Sequence, residues 1–139
     1  MKTLKELLVG VSFSGKIGDE AGRVNAVHFD SRKVGQGDLF VAQRGVSVDG
    51  HAFIDKAVAA GAVAVICEEL PEKRAAGVSY LLVPDSAYAL GVIAGNFYNN
   101  PSRELKLVGV TGTNGKTTTA TLLYELVRLS GKKAGLLST

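Results

Sequence analysis

Residues 111–118 form a glycine-rich stretch whose residue types suit the binding of phosphate. Gly112 and Gly115 allow the backbone to curl, so that successive N–H groups can point at one anion. Lys116 follows directly and can reach the outer phosphates of a nucleotide as a point charge, while the hydroxyl of Thr117 can ligate Mg²⁺. The stretch therefore predicts a phosphate-binding loop.

The segments on either side of this stretch predict the elements that position such a loop. An apolar run at residues 105–110 indicates a buried strand, and helical periodicity over residues 117–130 ends at Gly131. The N-terminus of that helix would add unpaired N–H groups and a partial positive charge. Residues 134–137 predict a second strand, which would complete a βαβ unit.

The spacing of the glycines departs from the common phosphate-loop pattern. That pattern has four residues between its first glycine and the Gly-Lys pair, whereas only a Thr-Asn pair separates Gly112 from Gly115. Val110 stands where the common pattern has its first glycine. The alternative is a glycine-rich turn that binds nothing, but the preceding strand, the following helix and the Lys-Thr pair favour phosphate binding.

The composition narrows the class of protein. With 139 residues, 46% of them hydrophobic and 21% charged, the chain has the balance of a globular protein. Its net charge of +3 suits anionic ligands, but the basic residues are scattered, so no nucleic-acid surface is predicted. No apolar run is long enough to insert into a membrane, and no signal-peptide core is present. The single cysteine, Cys67, predicts a buried thiol, which fits a cytoplasmic protein.

Short apolar strands alternate with helical segments as far as about residue 100, which predicts an α/β sheet domain over residues 1–103. Residues 104–139 would then begin a nucleotide-binding domain. One βαβ unit cannot bury its own faces, so the chain is expected to be a fragment of a longer protein. Strands are expected at residues 23–29, 39–42, 62–67 and 80–83, helices at residues 4–9 and after Asp49 and Asp85, and a loop at residues 12–22.

An Asp-Ser-Arg triplet, residues 30–32, follows the first predicted strand of the sheet. The carboxyl ends of strands are where α/β sheets bind ligands, so these side chains are candidates for a binding site. The alternative is an ordinary polar turn in which Asp30 or Ser31 bonds its own backbone, and the residues alone favour this alternative. His51 is expected to be a surface or helix-entry residue rather than a ligand, because no second ligand stands beside it at metal spacing, and His28 is expected to be structural within its strand.

The phosphate loop resembles that of the Mur ligases, ATP-dependent enzymes that add amino acids to the UDP-N-acetylmuramoyl peptide of peptidoglycan. The family's loop has the shortened glycine spacing found at residues 110–118. The N-terminal half is similar to the first domain of the member that adds the third residue of the peptide. The residues that carry this second resemblance are Asp30-Ser31-Arg32, Gly37-Asp38-Leu39-Phe40-Val41-Ala42, Gly45, Asp49-Gly50-His51, Phe53-Ile54 and Gly61-Ala62.

The resemblance implies that residues 1–103 form the domain that holds the UDP-N-acetylmuramoyl dipeptide. Phe29 and Ser31 are expected near the uracil and ribose. A loop of three residues is expected to contact the UDP group, through backbone atoms rather than side chains. These residues are Val46, Ser47 and Val48.

The same resemblance implies that the ATP phosphates are held by Gly112, Thr113, Asn114, Gly115, Lys116, Thr117 and Thr118. Lys116 is the expected catalytic residue, on the β and γ phosphates, and Thr117 is the expected Mg²⁺ ligand. Residues 104–139 would accordingly be the start of the central ATP-binding domain.

The reaction that the resemblance implies joins a carboxylate to an amine. The carboxylate of UDP-N-acetylmuramoyl-L-alanyl-D-glutamate attacks the γ-phosphate of ATP to give an acyl phosphate, and the amine of diaminopimelate or lysine then displaces phosphate. Lys116 and Mg²⁺ would offset the charge that develops on the transferred group. The family's other metal ligands and the domain that selects the amino acid are expected beyond residue 139, so the chain alone is expected to be inactive.

Three other functions stay open from the sequence. The Mur ligase that adds D-Ala-D-Ala shares much of the N-terminal pattern, although the Thr-Asn pair in the loop favours the third-residue enzyme. The folate-polyglutamate ligases share the ATP loop, but the N-terminal half argues against them. A module that binds UDP or another nucleotide without catalysis is the third.

Overall fold

The structure is a computed structural model that describes residues 1–45 and 48–138. It divides into two compact units, Met1–Glu104 and Leu105–Thr139, each of which is described by itself. The strands that the described residues form all lie in the first unit, and the second is built around a single long helix. No described helix combines the length and the apolar character that crossing a bilayer requires.

The elements are short and alternate along the chain. The strands are β1 Lys2–Thr3, β2 Gly15–Ile17, β3 Arg23–Val24, β4 Val27–His28, β5 Leu39–Val41, β6 Ala64–Cys67 and β7 Ser79–Leu82. The α-helices are α1 Leu4–Leu7, α2 Ile54–Ala59, α3 Ser86–Phe97 and α4 Lys116–Leu129, and 3-10 turns lie at Ser31–Lys33, Gly50–Phe53 and Pro101–Glu104.

Five strands form the main sheet, in the order β2-β7-β6-β5-β4. The strands β4 to β7 are parallel, and β2 runs antiparallel to β7 at one edge. The strands β1 and β3 pair separately as an antiparallel ribbon. The prediction of an α/β sheet domain is therefore confirmed, and the structure adds that most of its sheet is parallel.

The sheet is covered on both faces because its strands are apolar on both sides. In register across the sheet, Val41 pairs with Ile66 and Ile66 with Leu81, and these side chains pack with α1 and α3. The alternate residues face α2. This second face is built from Val34, Phe40, Ala42, Ile54, Ala57, Ala62, Val65, Cys67 and Tyr80.

Local hydrogen bonds start the helices where the sequence predicts. Thr3 and Glu6 form a capping box at the start of α1, which confirms the short helix expected there. Asp85 accepts a hydrogen bond from the N–H of Tyr88 at 2.8 Å and so caps α3. Asp49 caps the 3-10 turn that leads into α2, with its Oδ1 2.9 Å from the backbone nitrogen of His51.

Two of the predictions for the first unit are wrong. The single strand expected at residues 23–29 is two strands, because Asn25 bonds the turn beside it, from its own N–H to the oxygen of Gly37 and from Nδ2 to the oxygen of Gln36. The loop expected at residues 12–22 contains β2. That strand is mostly exposed at an edge of the sheet, so it needs no apolar pattern.

The second unit confirms the predicted helix, as α4, but not the strands on either side of it. The runs at residues 105–110 and 134–137 form no strand and are largely exposed; the side chain of Leu107 is 80% exposed. A strand exists through hydrogen bonds to a neighbour, and within residues 105–138 no other extended segment pairs with either run. The predicted βαβ unit is therefore not formed by the described residues of the second unit, which contain the loop and α4 but no strand.

Candidate functional site

The predicted phosphate loop of the second unit has the backbone shape that its glycines predict. Gly115 precedes α4 with a φ of +74°, a left-handed conformation that residues with a Cβ rarely adopt, and Gly112 has a φ of +153°. Residues 116–119, the first turn of α4, are exposed, and no described side chain caps this end of the helix through a hydrogen bond. An exposed helix N-terminus is a favourable position for an anion.

The side chain of Lys116 folds back over this loop. Its Nζ donates to the carbonyl oxygens of Gly112 at 2.7 Å and Thr113 at 3.2 Å, which places the ammonium beside the helix N-terminus. The hydroxyl of Thr117 accepts a hydrogen bond from the hydroxyl of Ser138 at 3.5 Å. A cation, a hydroxyl and an open helix N-terminus are thus within one exposed loop, and this donor set fits a nucleotide phosphate with Mg²⁺.

A second group of predicted residues lies in the first unit, at the edge where the parallel strands β4 to β7 end. We call this edge, with the residues that follow each strand, the carboxyl edge. Phe29 lies there directly after β4 with its side chain 63% exposed, and Ser31 lies two residues on and is 8% exposed. An exposed aromatic ring beside a buried hydroxyl at this edge is compatible with binding a base and a sugar.

Asp30 forms hydrogen bonds within its own turn, as the polar-turn alternative predicts. Its Oδ1 accepts a hydrogen bond from the backbone N–H of Arg32 at 3.0 Å, and its Oδ2 lies 2.8 Å from Nη2 of the same residue. The guanidinium and backbone N–H of Arg32 lower the pKa of the Asp30 carboxyl to about 2. The contacts between Asp30 and Arg32 therefore stabilise the turn that directly follows Phe29.

One of the three residues predicted to contact the UDP group is among the described residues. Val46 and Ser47 lie outside the described residues. Val48 is described and exposed, and its carbonyl oxygen accepts a hydrogen bond from the N–H of Gly45 at 3.1 Å. The predicted contacts of these three residues with substrate stay predictions.

A charged network at the carboxyl edge was not predicted from the sequence. Arg44, which follows β5, has Nη2 2.6 Å from Oε1 of Glu69 and Nε 3.7 Å from Oδ2 of Asp49. The Nε of Arg44 is also 3.9 Å from Oε2 of Glu68. Hydrogen bonds from the backbone and hydroxyl of Ser86 lower the pKa of the Glu68 carboxyl, so the carboxylate stays ionised. The sequence signal that could have indicated this network is the Glu-Glu pair directly after β6.

The side chains of both histidines lie against protein atoms, and the single cysteine is buried. His28 Nε2 lies 3.4 Å from Oδ2 of Asp38, and His51 is held on both sides of its ring by protein atoms. Burial raises the pKa of the Cys67 thiol to about 11. Over residues 1–45 and 48–138, no group of three or more His, Cys, Asp or Glu side chains could hold a metal ion.

Comparison with known proteins adds to this geometry. Residues 23–98 match the family described as "Mur ligase family, catalytic domain". The chain is 57% identical, over 98% of its length, to the UDP-N-acetylmuramoyl-L-alanyl-D-glutamate--2,6-diaminopimelate ligase of Cytophaga hutchinsonii. It covers 28% of that relative, and the chain spans about a quarter of the length of the curated proteins it matches.

Solved structures agree with this similarity. A UDP-N-acetylmuramoyl-L-alanyl-D-glutamate--2,6-diaminopimelate ligase superposes with a TM-score of 0.64 at 25% identity, over 99% of this chain and 29% of that one. The MurF ligase from Thermotoga maritima, solved in complex with ADP, gives a TM-score of 0.52 at 35% identity, over 78% of this chain and 24% of that one. The family match alone covers more than half of the chain, and the chain therefore belongs to the Mur ligase family.

Proposed function

We propose that this chain is part of an ATP-dependent ligase that adds 2,6-diaminopimelate to UDP-N-acetylmuramoyl-L-alanyl-D-glutamate in peptidoglycan synthesis. The observation that carries the proposal is the 57% identity over 98% of the chain to a relative named for that reaction. Other relatives with the same name are 50% and 52% identical over 98% of the chain. The cytoplasmic location expected from the sequence belongs to the same proposal.

The proposal gives each unit a separate role. Residues 1–103 would bind the UDP end of the substrate at the carboxyl edge, with Phe29 against the uracil and Ser31 near the ribose. An exposed ring can stack on a base, and stacking of a base on an aromatic side chain contributes about 1–3 kcal/mol. Val46, Ser47 and Val48 would add backbone contacts to the same group.

Residues 104–139 would hold the phosphates of ATP. The N–H groups of the loop at residues 112–118 would point at the phosphate oxygens, and Lys116 would exchange its bonds to two loop carbonyls for bonds to the β and γ phosphates. Thr117 would be the protein ligand to Mg²⁺. ATP supplies the phosphoryl group that activates the substrate carboxylate, and the charge on Lys116 would stabilise that group during transfer.

The ligase that adds D-Ala-D-Ala is not favoured. The curated relatives that are 57%, 50% and 52% identical to the chain are all named as 2,6-diaminopimelate ligases. The folate-polyglutamate alternative predicts no binding of the UDP ligand, so the following titration distinguishes it. A binding module without catalysis is distinguished by the absence of transfer in an activity assay of the longer protein.

The test is a titration of the 139-residue chain with UDP-N-acetylmuramoyl-L-alanyl-D-glutamate and, separately, with Mg-ADP, followed by backbone amide shifts. We expect the UDP ligand to shift Phe29, Ser31 and Val48, and Mg-ADP to shift residues 112–118. Phe29→Ala should raise the dissociation constant for the UDP ligand about tenfold, which corresponds to about 1.4 kcal/mol. Phe13→Ala, at a second exposed phenylalanine, is the matched control and should leave it unchanged.

Each ligand tests its own part of the proposal. No response to the UDP ligand at the carboxyl edge would contradict the assignment of the first domain. Lys116→Met should abolish the Mg-ADP response, whereas Lys132→Met, beyond the end of α4, should preserve it. Equal effects of the two substitutions would contradict the proposal that Lys116 binds the phosphates.

A further inference from the structure

The ring of His51 bonds protein atoms at both of its nitrogens. Its Nδ1 lies 2.6 Å from Oδ1 of Asp49, and its Nε2 accepts a hydrogen bond from the N–H of Glu68 at 2.8 Å. The N–H of Glu69 points at the same nitrogen from 3.4 Å. With its side chain only 13% exposed, the ring joins the segment after β5 to the segment after β6.

These partners determine the tautomer of the ring. A backbone N–H can only donate, so Nε2 must be the unprotonated acceptor. A carboxylate can only accept, and hydrogen bonds from the backbone and ring of His51 lower the pKa of the Asp49 carboxyl, so Nδ1 carries the proton. The geometry therefore favours the tautomer of His51 that carries its proton on Nδ1.

The other end of this connection is the base of the loop predicted to contact the UDP group. Arg44 and Asp49 form an isolated antiparallel bridge, and the N–H of Gly45 donates to the oxygen of Val48 within it. At the next pair of residues outward, the N–H of Gly50 donates to the oxygen of Gln43 at 2.7 Å. The two ends of the segment are thus paired with each other. Among residues 42–45 and 48–53, the side chains that bond the residues after β6 are those of His51 and Arg44.

We propose that His51 is a positioning residue, which ties the paired ends of the segment at residues 44–49 to the backbone of Glu68 and so sets the affinity of the carboxyl edge for the UDP group. The inference rests on the proposed function, in which Val48 contacts that group. The positioning role requires a hydrogen-bond acceptor at the position of Nε2, facing the N–H of Glu68. The bond from Nδ1 to Asp49 is local to the turn and is secondary.

Two substitutions separate the two nitrogens. In His51→Gln, the side-chain oxygen can occupy the position of Nε2 and accept from Glu68. In His51→Asn, the amide can replace Nδ1 and donate to Asp49, but no acceptor reaches Glu68. We expect the dissociation constant of the 139-residue chain for UDP to stay within about threefold of the unsubstituted value for Gln and to rise about tenfold for Asn.

The tautomer of the ring can be measured without any substitution. The nitrogen shifts of His51 in the unsubstituted chain at neutral pH should show a protonated Nδ1 and an unprotonated Nε2.

The amide of Val48 reports on the position of the segment in the two variants. Its shift should change in His51→Asn and stay near its original position in His51→Gln. Thermal unfolding followed by circular dichroism establishes that both variants fold.

The outcomes separate the two proposals. A ring protonated on Nε2, or equal effects of Gln and Asn on UDP affinity and on the Val48 amide, would overturn the positioning role. If the unsubstituted chain does not bind UDP, the proposed function of the first unit fails. The ring tautomer and the Val48 amide would then still decide whether His51 holds the segment.

Discussion

The carboxylate of Glu68 and the first residue of α3, Ser86, are joined by two hydrogen bonds. The Oε1 of Glu68 accepts from the backbone N–H of Ser86 at 2.9 Å and from its hydroxyl at 2.7 Å. Ser86 is only 1% exposed, and its N–H is one of the groups at the start of a helix that lacks a partner within the helix. A side chain from the end of β6 therefore completes the N-terminus of α3.

Removal of this carboxylate should destabilise the first unit. Glu68→Ala leaves the buried N–H of Ser86 without its acceptor, a loss of about 1–3 kcal/mol that we expect near the lower end because water reaches part of the site. Glu68→Gln keeps an oxygen at Oε1 and should cost less. Urea unfolding measured by circular dichroism tests this, and equal losses for the two variants would show that charge, rather than the acceptor, matters.

The same contact predicts how stability depends on pH. The hydrogen bonds from Ser86 lower the pKa of Glu68 below its ordinary value of 4.5. The stabilising contribution of the carboxylate is therefore complete above pH 4.5 and is lost as the pH falls through the lower pKa of the folded state. The difference in free energy of unfolding between the unsubstituted chain and Glu68→Ala should therefore shrink as the pH falls below 4.5. A difference that stays constant down to pH 3 would contradict this.

Cys67 should be almost unreactive while the chain is folded. Its thiol is fully buried on β6, and desolvation raises its pKa from 9.0 to about 11. Two pKa units correspond to about a hundredfold less of the reactive thiolate at pH 8. We expect alkylation by iodoacetamide, followed by mass spectrometry, to be at least that much slower than in the same chain unfolded in urea. Similar rates in the two states would contradict the burial of this strand.

Gly115→Ala should weaken nucleotide binding through the backbone alone. Nothing lies within 4 Å of a Cβ added there, but the φ of +74° would impose a cost of about 1–2 kcal/mol on a residue with a side chain. We expect calorimetry to show about tenfold weaker binding of Mg-ADP. Gly109→Ala is the matched control, because an added Cβ also meets nothing there and no positive φ is required. Equal losses in both variants would contradict the role of the left-handed turn.

The sequence predicts those parts of the fold that depend on neighbouring residues. Asp85 followed by an apolar periodicity predicts α3, and the glycine-rich loop before a helical pattern predicts α4. The apolar runs of β5, β6 and β7 predict the buried centre of the sheet. Each of these signals is complete within about a dozen residues.

What the sequence does not predict depends on distant partners. The strand β2 carries no apolar pattern, because only its backbone joins the sheet. The run at residues 105–110 carries a strong pattern but has no partner within the described part of the second unit. At the carboxyl edge, Glu68 meets His51 from 17 residues away and Ser86 from 18, and no local spacing encodes either contact. Ser31 is a candidate because its triplet follows a strand, whereas Phe29 is predicted only through the resemblance to a family.

The packing of α1 has a consequence for the order in which the protein folds during synthesis. Leu4 and Leu7 belong to the same core as Ile93, and Asn96 at the end of α3 donates from Nδ2 to the oxygens of Leu7 and Val9. A ribosome makes α1 about ninety residues before its partner helix is complete. The contacts between α1 and α3 can therefore form only after nearly the whole first unit has been made. During synthesis, the pairing of these two helices is accordingly a late event in the folding of this unit.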